Sequence, residues 1–197
     1  MTVFVLPLII AFLILLIWGG FYAWSSYNKF VEATQNVESV WGNVENSYQK
    51  RYDLIPNLVE TVKGYANHES ETFIAVTEAR SKVSSINITA DELTEENLQA
   101  FEDAQSELSG ALSRLLVSVE AYPELKANQN FMQLQQDLKD VEAEILLRRD
   151  DYNNTVKPYN NLVLKFPRNL FAKIFGFKQK PYFKASEKAS EAPKVSF

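Results

Sequence analysis

The side chains most able to do chemistry in this sequence are a single histidine and the carboxylates beside it, and their spacing does not match a zinc-protease motif. His68 is followed by Glu69 and Glu71. A zinc protease of the H-E-x-x-H type needs a second imidazole one helical turn after the first, and that position holds Thr72. His68 is therefore predicted to be an ordinary surface residue near a bend.

A second acidic group lies between Lys82 and Arg114, where seven carboxylates occur without a basic residue. The spacing and the central glycine of an EF-hand calcium loop are absent from this run. Acidic side chains also favour the N-terminal end of a helix, so a solvated loop followed by a helix start accounts for the run. We therefore predict no metal site and no bound cofactor.

Other common kinds of catalysis also lack support in the sequence. The chain has no cysteine, which excludes disulfides, thiol catalysis and thiolate metal sites. It contains no G-x-S-x-G, phosphate-binding loop or dinucleotide-binding fingerprint. The formal net charge of −5 gives no indication of nucleic-acid binding. These observations predict a protein that is not an enzyme and has no catalytic residues and no small-molecule substrate.

Charged side chains interrupt the apolar pattern of two predicted helices. Arg51 and Asp53 are placed to form an ion pair, and Arg114 is placed to meet Glu120 or Glu124. Ordinary electrostatics within a helical bundle is one interpretation, and a surface for a partner is the other. On the second interpretation, Arg51, Asp53 and Arg114 are candidate interface residues.

The elements that must position these residues begin with an apolar stretch over residues 3–24. The first charged side chain after it is Lys29. About 20 apolar residues in a helix span a hydrocarbon core of about 30 Å, so the stretch predicts a single transmembrane helix. Val3, Trp18 and Trp24 are assigned to this anchor, with the aromatic rings at the interface. A removable signal peptide is disfavoured because a basic start and a small-residue cleavage site are missing.

The rest of the chain shows apolar residues every three or four positions, which predicts amphipathic helices over residues 30–83, 98–122 and 131–159. The predicted fold is all-α, a transmembrane helix followed by an antiparallel bundle of long helices with three or four arms. The unbroken register of the first segment favours three arms. Gly64 and Asn67 permit a turn that would give four.

Local signals refine these helices. Pro56 predicts a kink, and Pro158 predicts a frayed end. Thr89 and Thr94 are two candidate caps at the end of the polar stretch. Gly110 within a helical stripe predicts a close neighbour, because a residue without a side chain allows tight packing.

The C-terminal region has a different texture, in which basic and aromatic residues alternate. Phe171, Phe175 and Phe177 are candidate contact residues here. One interpretation is an interfacial segment that touches an anionic bilayer, and the other is that the aromatic rings fold back and cap the bundle core. The predicted organisation is an anchor at residues 1–28, a bundle at 29–166, an amphipathic segment at 167–184 and a flexible tail at 185–197.

Four long strings of the sequence resemble the LemA family. They span residues 50–69, 109–131, 148–177 and 181–197, and the first reads KRYDLIPNLVETVKGYANHE. The resemblance covers essentially the whole chain after Ser26. It implies a bacterial, membrane-anchored helical bundle with no assigned catalytic activity. Some members of the family replace the anchor with a lipoprotein signal that ends in cysteine, and this cysteine-free chain departs from that form.

Together these features lead to the hypothesis of a non-enzymatic, membrane-anchored scaffold that self-assembles or binds membrane partners. The alternative is an adaptor or regulator of a membrane protease or of an envelope quality-control complex, to which the genomic neighbourhood of the family points. The expected partners are membrane lipid, further copies of the chain and a membrane protease or other envelope protein. The expected location is the bacterial inner membrane. Lys29, Lys50 and Arg51 after the anchor favour a cytoplasmic body, whereas lipoprotein relatives imply export.

Overall fold

Every regular secondary-structure element is a helix in the part of the chain that the structure, a computed structural model, describes. That part comprises residues 2–65 and 70–184, without the side chains of residues 2–5 and 70. His68 and the predicted flexible tail at 185–197 lie outside it. The helices are α1 (Thr2–Lys63), α2 (Ser70–Ser85), α3 (Glu95–Ser118), α4 (Pro123–Lys126), α5 (Gln129–Leu164) and α6 (Arg168–Phe175). Two short 3-10 turns, Ala90–Glu92 and Val119–Ala121, complete them, and the all-α prediction is confirmed.

The first arm ends at Lys63 and the chain then runs back along it. The ammonium nitrogen of Lys63 lies 5.6 Å from the ring centroid of Phe73, and the guanidinium carbon of Arg80 lies 3.8 Å from that of Tyr52. Since the residue number falls on α1 as it rises on α2, the two helices are antiparallel. The favoured three-arm interpretation is therefore wrong.

The body is a four-helix bundle made from the second half of α1, α2, α3 and α5. Salt bridges join neighbouring arms, with Lys82 of α2 paired to Glu107 of α3 and Lys50 of α1 paired to Glu144 of α5 at 2.9 Å. Directions alternate along the chain, as expected for arms joined by short connections. In such a bundle the end of α5 returns to the side from which α1 enters.

The transmembrane anchor and the first arm of the bundle are one uninterrupted helix. α1 runs through both Pro7 and Pro56, and at 1.5 Å per residue its 62 residues extend about 93 Å. By length and composition it is the one described helix that could cross a membrane. Trp18 and Trp24 are exposed, as is every residue from Leu6 to Ile17. Val3 belongs to the same helix, although only its backbone is described.

The core of the bundle runs from Phe30 near the anchor to Leu125 at the far end. Most of the residues that line it belong to the predicted stripes. Two others, Ile88 and Leu93, come from the polar connection between α2 and α3 and are also buried. The indole nitrogen of Trp41 donates to the carbonyl oxygen of Ile88 at 3.1 Å, which fixes this connection against α1.

The local predictions have mixed outcomes. Thr94 caps α3, because its side chain accepts a hydrogen bond from the Asn97 N–H at 3.2 Å. The frayed end predicted at Pro158 is wrong, since α5 continues through it to Leu164. The close neighbour predicted for Gly110 is also wrong, since nothing lies within 4 Å of the place its Cβ would occupy.

We expect Leu112→Ala and Leu115→Ala each to lower the free energy of unfolding by about 2–5 kcal/mol, because both side chains lie in the core. Urea denaturation of the full chain in detergent micelles measures this cost. Ile74→Ala is the matched control, since that side chain is exposed and its loss leaves no cavity. Equal midpoints for the three variants would contradict the assignment of the core.

We expect Gly110→Ala to raise the free energy of unfolding by about 0.5–1 kcal/mol, because alanine is the better helix former and the space beside Gly110 is open. Gly176→Ala should have the opposite effect, because Gly176 follows α6 with a φ of +80°. The same denaturation assay compares the two variants. A loss of stability in Gly110→Ala would show that another part of the protein lies against Gly110.

Candidate functional site

A buried arginine joins three arms of the bundle. Arg51 of α1 is only 2 % exposed, and it donates to a Glu142 carboxylate oxygen at 2.8 Å and to the Ser109 hydroxyl at 3.0 Å. It also donates to the side-chain oxygen of the buried Gln105. A buried charge is tolerated when it is paired and hydrogen-bonded. Arg51 therefore ties α1 to α3 and α5 within the bundle.

The other charged candidates do not join this network. Arg51 and Asp53 form no ion pair, because residues two apart on a helix face different ways. Asp53 instead accepts a hydrogen bond from Gln49 at 2.7 Å. Arg114 is exposed, and within the described residues it has no salt bridge to either predicted glutamate. Asp53 and Arg114 thus lie on the surface and apart from each other.

The most elaborate polar arrangement holds an extended C-terminal segment, which we call the strap (residues 177–184), against α5. The side chain of Asn160 donates to the Lys180 carbonyl and accepts from the Lys180 N–H, both at 2.9 Å. Asn153 does the same with Phe183, at 3.0 and 2.9 Å. Each amide side chain thereby satisfies both backbone groups of one strap residue, as a neighbouring β-strand would.

The tyrosine that precedes each of these asparagines on α5 also bonds to the strap. The hydroxyl of Tyr159 donates to the Lys178 carbonyl at 2.8 Å, and that of Tyr152 donates to the Pro181 carbonyl at 3.2 Å. Seven residues of helix rise about 10.5 Å, and three residues of extended chain span about 10 Å, so the two spacings match. This site was not predicted from the sequence. The signal was the repeat Tyr-Asn-Asn at 152 and 159.

The strap also closes the aromatic end of the core. Phe183 lies 5.3 Å from Tyr152 and 6.0 Å from Trp41 between ring centroids, and Phe177 stacks on Phe30 at 4.9 Å. For residues 177–184, the interpretation that the tail folds back and caps the core is therefore right.

Charged side chains fasten the edges of the strap. The ammonium of Lys180 donates to the Ala90 carbonyl at 2.7 Å, and loss of hydration there lowers the Lys180 pKa. Arg149 pairs with Glu102 and also donates to the Lys184 carbonyl at 2.9 Å. Burial raises the pKa of Glu102 even with Arg149 beside it. The charges of these side chains thus stabilise the packing of the strap against the bundle.

α6 lies beside the exit end of the anchor. The ring of Phe171 is 5.7 Å from that of Tyr22, and the ring of Phe175 is 5.2 Å from that of Tyr27. The candidate contact residues Phe171 and Phe175 therefore touch the anchor itself. The structure thus brings Phe171, Phe175 and Phe177 together around α1, far from Arg114.

An open cleft of about 380 Å³ lies between α1 and the connection after α2. Aromatic rings line it, including Trp41, Tyr48 and Tyr52. Its one carboxyl group belongs to Glu45, whose pKa is raised by loss of hydration, and no basic side chain lines the cleft beside it. Nor do the described residues contain a group of three side chains able to hold a metal ion.

A long apolar helix that continues directly into a four-helix bundle defines a membrane-associated helical protein. The model of the LemA family matches residues 40–197, and the chain belongs to that family.

The chain is similar to several bacterial proteins. It is 27 % identical to the magnetosome protein MamQ 1 of Paramagnetospirillum magneticum over 187 residues, which cover 86 % of this chain and 68 % of the relative. It is 26 % identical to MamQ of Magnetospirillum gryphiswaldense, with 80 % of this chain and 64 % of the relative covered. Protein LemA of Metamycoplasma hominis is 25 % identical, with 81 % and 69 % covered. Regions of these relatives thus extend beyond the shared part.

We expect Asn160→Ala to release the strap locally, because the Lys180 N–H loses its acceptor. Hydrogen exchange of the full chain in micelles should show faster exchange at residues 178–181. Asn161→Ala is the control, since this neighbouring side chain is exposed. Equal exchange in both variants would mean that the amide pairing does not hold the strap.

Proposed function

We propose that the chain is a non-enzymatic scaffold on a bacterial inner membrane, which holds its bundle at a fixed place above the bilayer for self-assembly or for membrane partners. The observation that carries the proposal is the continuity of α1. The 39 residues of α1 after Trp24 project about 58 Å, with no hinge between anchor and body. The basic residues after the anchor favour a body on the cytoplasmic side.

The use of the buried and half-buried polar groups supports a role without catalysis. The terminal nitrogens of Arg51 bond to other arms of the bundle, and Asn153 and Asn160 bond to the strap. A catalytic centre requires an acid or base within reach of an open substrate position. Here the polar side chains with well-defined geometry serve contacts within the chain.

A surface for self-assembly lies halfway along α5. Leu146 and Leu147 are 62 % and 56 % exposed, and on the described bundle arms they are the one adjacent pair of large exposed apolar residues. Two copies anchored in the same membrane can share a two-fold axis only along the membrane normal. Their α5 helices would then lie parallel, with each leucine facing its own counterpart.

We expect full chains carrying the single substitution Leu146→Cys to crosslink as disulfide dimers under mild oxidation in native membranes. The wild-type chain has no cysteine, so the new thiol can pair only between copies. Val117→Cys is the control, because it is also exposed but lies on α3. Addition of Leu147→Glu should abolish the crosslink.

An absence of crosslinks in Leu146→Cys, together with a monomeric mass by light scattering, would contradict self-assembly through α5. Capture of one other protein at a fixed stoichiometry would then favour the alternative, an adaptor or regulator of a membrane protease or envelope quality-control complex. The aromatic cleft beside Trp41 supports that alternative, because it can accept a segment of a partner. Glu45→Arg, which places a cation at the rim of the cleft, should weaken that capture.

A further inference from the structure

The outward face of α6, together with Phe166 two residues before the helix, exposes large apolar side chains that the bundle does not cover. Phe166 is 80 % exposed, Leu170 51 % and Ile174 74 %. The opposite face packs on the protein, where Ala172 is buried and Phe171 meets the anchor. Such a group of exposed rings and aliphatic chains marks a surface that meets an apolar partner.

Basic residues surround this apolar face. Lys165, Lys173 and Lys178 are all exposed, and residues 165–184 contain no carboxylate. The combination of an apolar face with flanking lysines is complementary to an anionic lipid surface, where acyl chains lie beneath phosphate groups.

The position of α6 along α1 matches the level of the bilayer surface. Its rings contact Tyr22 and Tyr27, which are separated by five residues, or about 7.5 Å of helix. If the hydrocarbon core covers the 20 or so residues before Tyr22, these contacts fall in the headgroup layer. α6 therefore lies beside the anchor at the level where the anchor leaves the hydrocarbon core.

We propose that α6 is a second membrane contact, which lies in the headgroup layer of an anionic bilayer with Phe166, Leu170 and Ile174 directed toward the acyl chains. Both ends of α6 are fixed to the rest of the protein. α5 leads into it, and after it Gly176 allows the chain to turn into the strap, with the Phe177 N–H bonded to the Ala172 carbonyl at 2.9 Å. The inference rests on the membrane anchor and is independent of self-assembly.

The test uses the full chain with Ile174→Cys, spin-labelled and reconstituted in vesicles of phosphatidylglycerol and phosphatidylcholine. Because the chain has no other cysteine, the label reports one position. In lipid the label collides more with oxygen and less with a water-soluble nickel chelate than it does in water. We expect this lipid signature at Ile174, and water exposure at the control Val117→Cys on the far half of the bundle.

The lysines supply the second arm of the test. Replacing Lys165, Lys173 and Lys178 by glutamine should shift the equilibrium between membrane-bound and released α6 by roughly 100-fold toward release. In vesicles of phosphatidylcholine alone, the equilibrium of the unsubstituted α6 should also shift toward release from the membrane. Circular dichroism establishes that each variant is folded.

Three results would overturn the proposal. Water exposure of Ile174 equal to that of Val117 would show that α6 does not touch lipid. Protection of Ile174 from both oxygen and nickel would show a protein partner instead. Equal membrane binding of α6 in neutral and anionic vesicles would show that the lysines do not recognise anionic lipid. The Leu146→Cys crosslink is measured separately, so either proposal can fail without the other.

Discussion

The passage of α1 from lipid to water as one helix is the constraint on which the other elements depend. Inside a bilayer each backbone polar group must be satisfied within the segment, which an unbroken helix achieves. Up to Trp24 the helix can be apolar on all sides, whereas from Ser26 onward one face must be buried by protein. α5 supplies the long partner for that face, and α6 and the strap cover it where it emerges.

The helical arms and most of the core could be predicted from the sequence, because each arm buries one stripe and stripes are visible as a period. Leu112, Leu115 and Ile145 illustrate this success. The number of arms could not be obtained in this way. The stripe continues in register across Gly64, but a stripe records which face is buried and not the direction in which the chain runs.

The strap could not be predicted by the same reasoning, because it pairs with side chains of a helix and has no period of its own. Its partners on α5 are the buried Asn160 and the half-buried Asn153, whose side chains bond to the extended segment. The repeat of Tyr-Asn-Asn was visible in the sequence. To interpret it, one must know that seven residues of helix span the same length as three residues of extended chain. Gly110 shows the opposite case, in which a residue suggested a contact that the structure lacks.

Because α1 is one continuous helix, the orientation of the anchor determines the position of the far end of the body. Transmembrane helices tilt by about 20° on average, and the angle responds to the thickness of the bilayer. A tilt of that size carries the tip of an arm about 58 Å long sideways by about 20 Å. With no hinge at Trp24 to absorb the tilt, neighbouring anchors in a thinner membrane would spread or gather their tips. Bilayer thickness would thus become a determinant of how closely the bundles of adjacent copies approach.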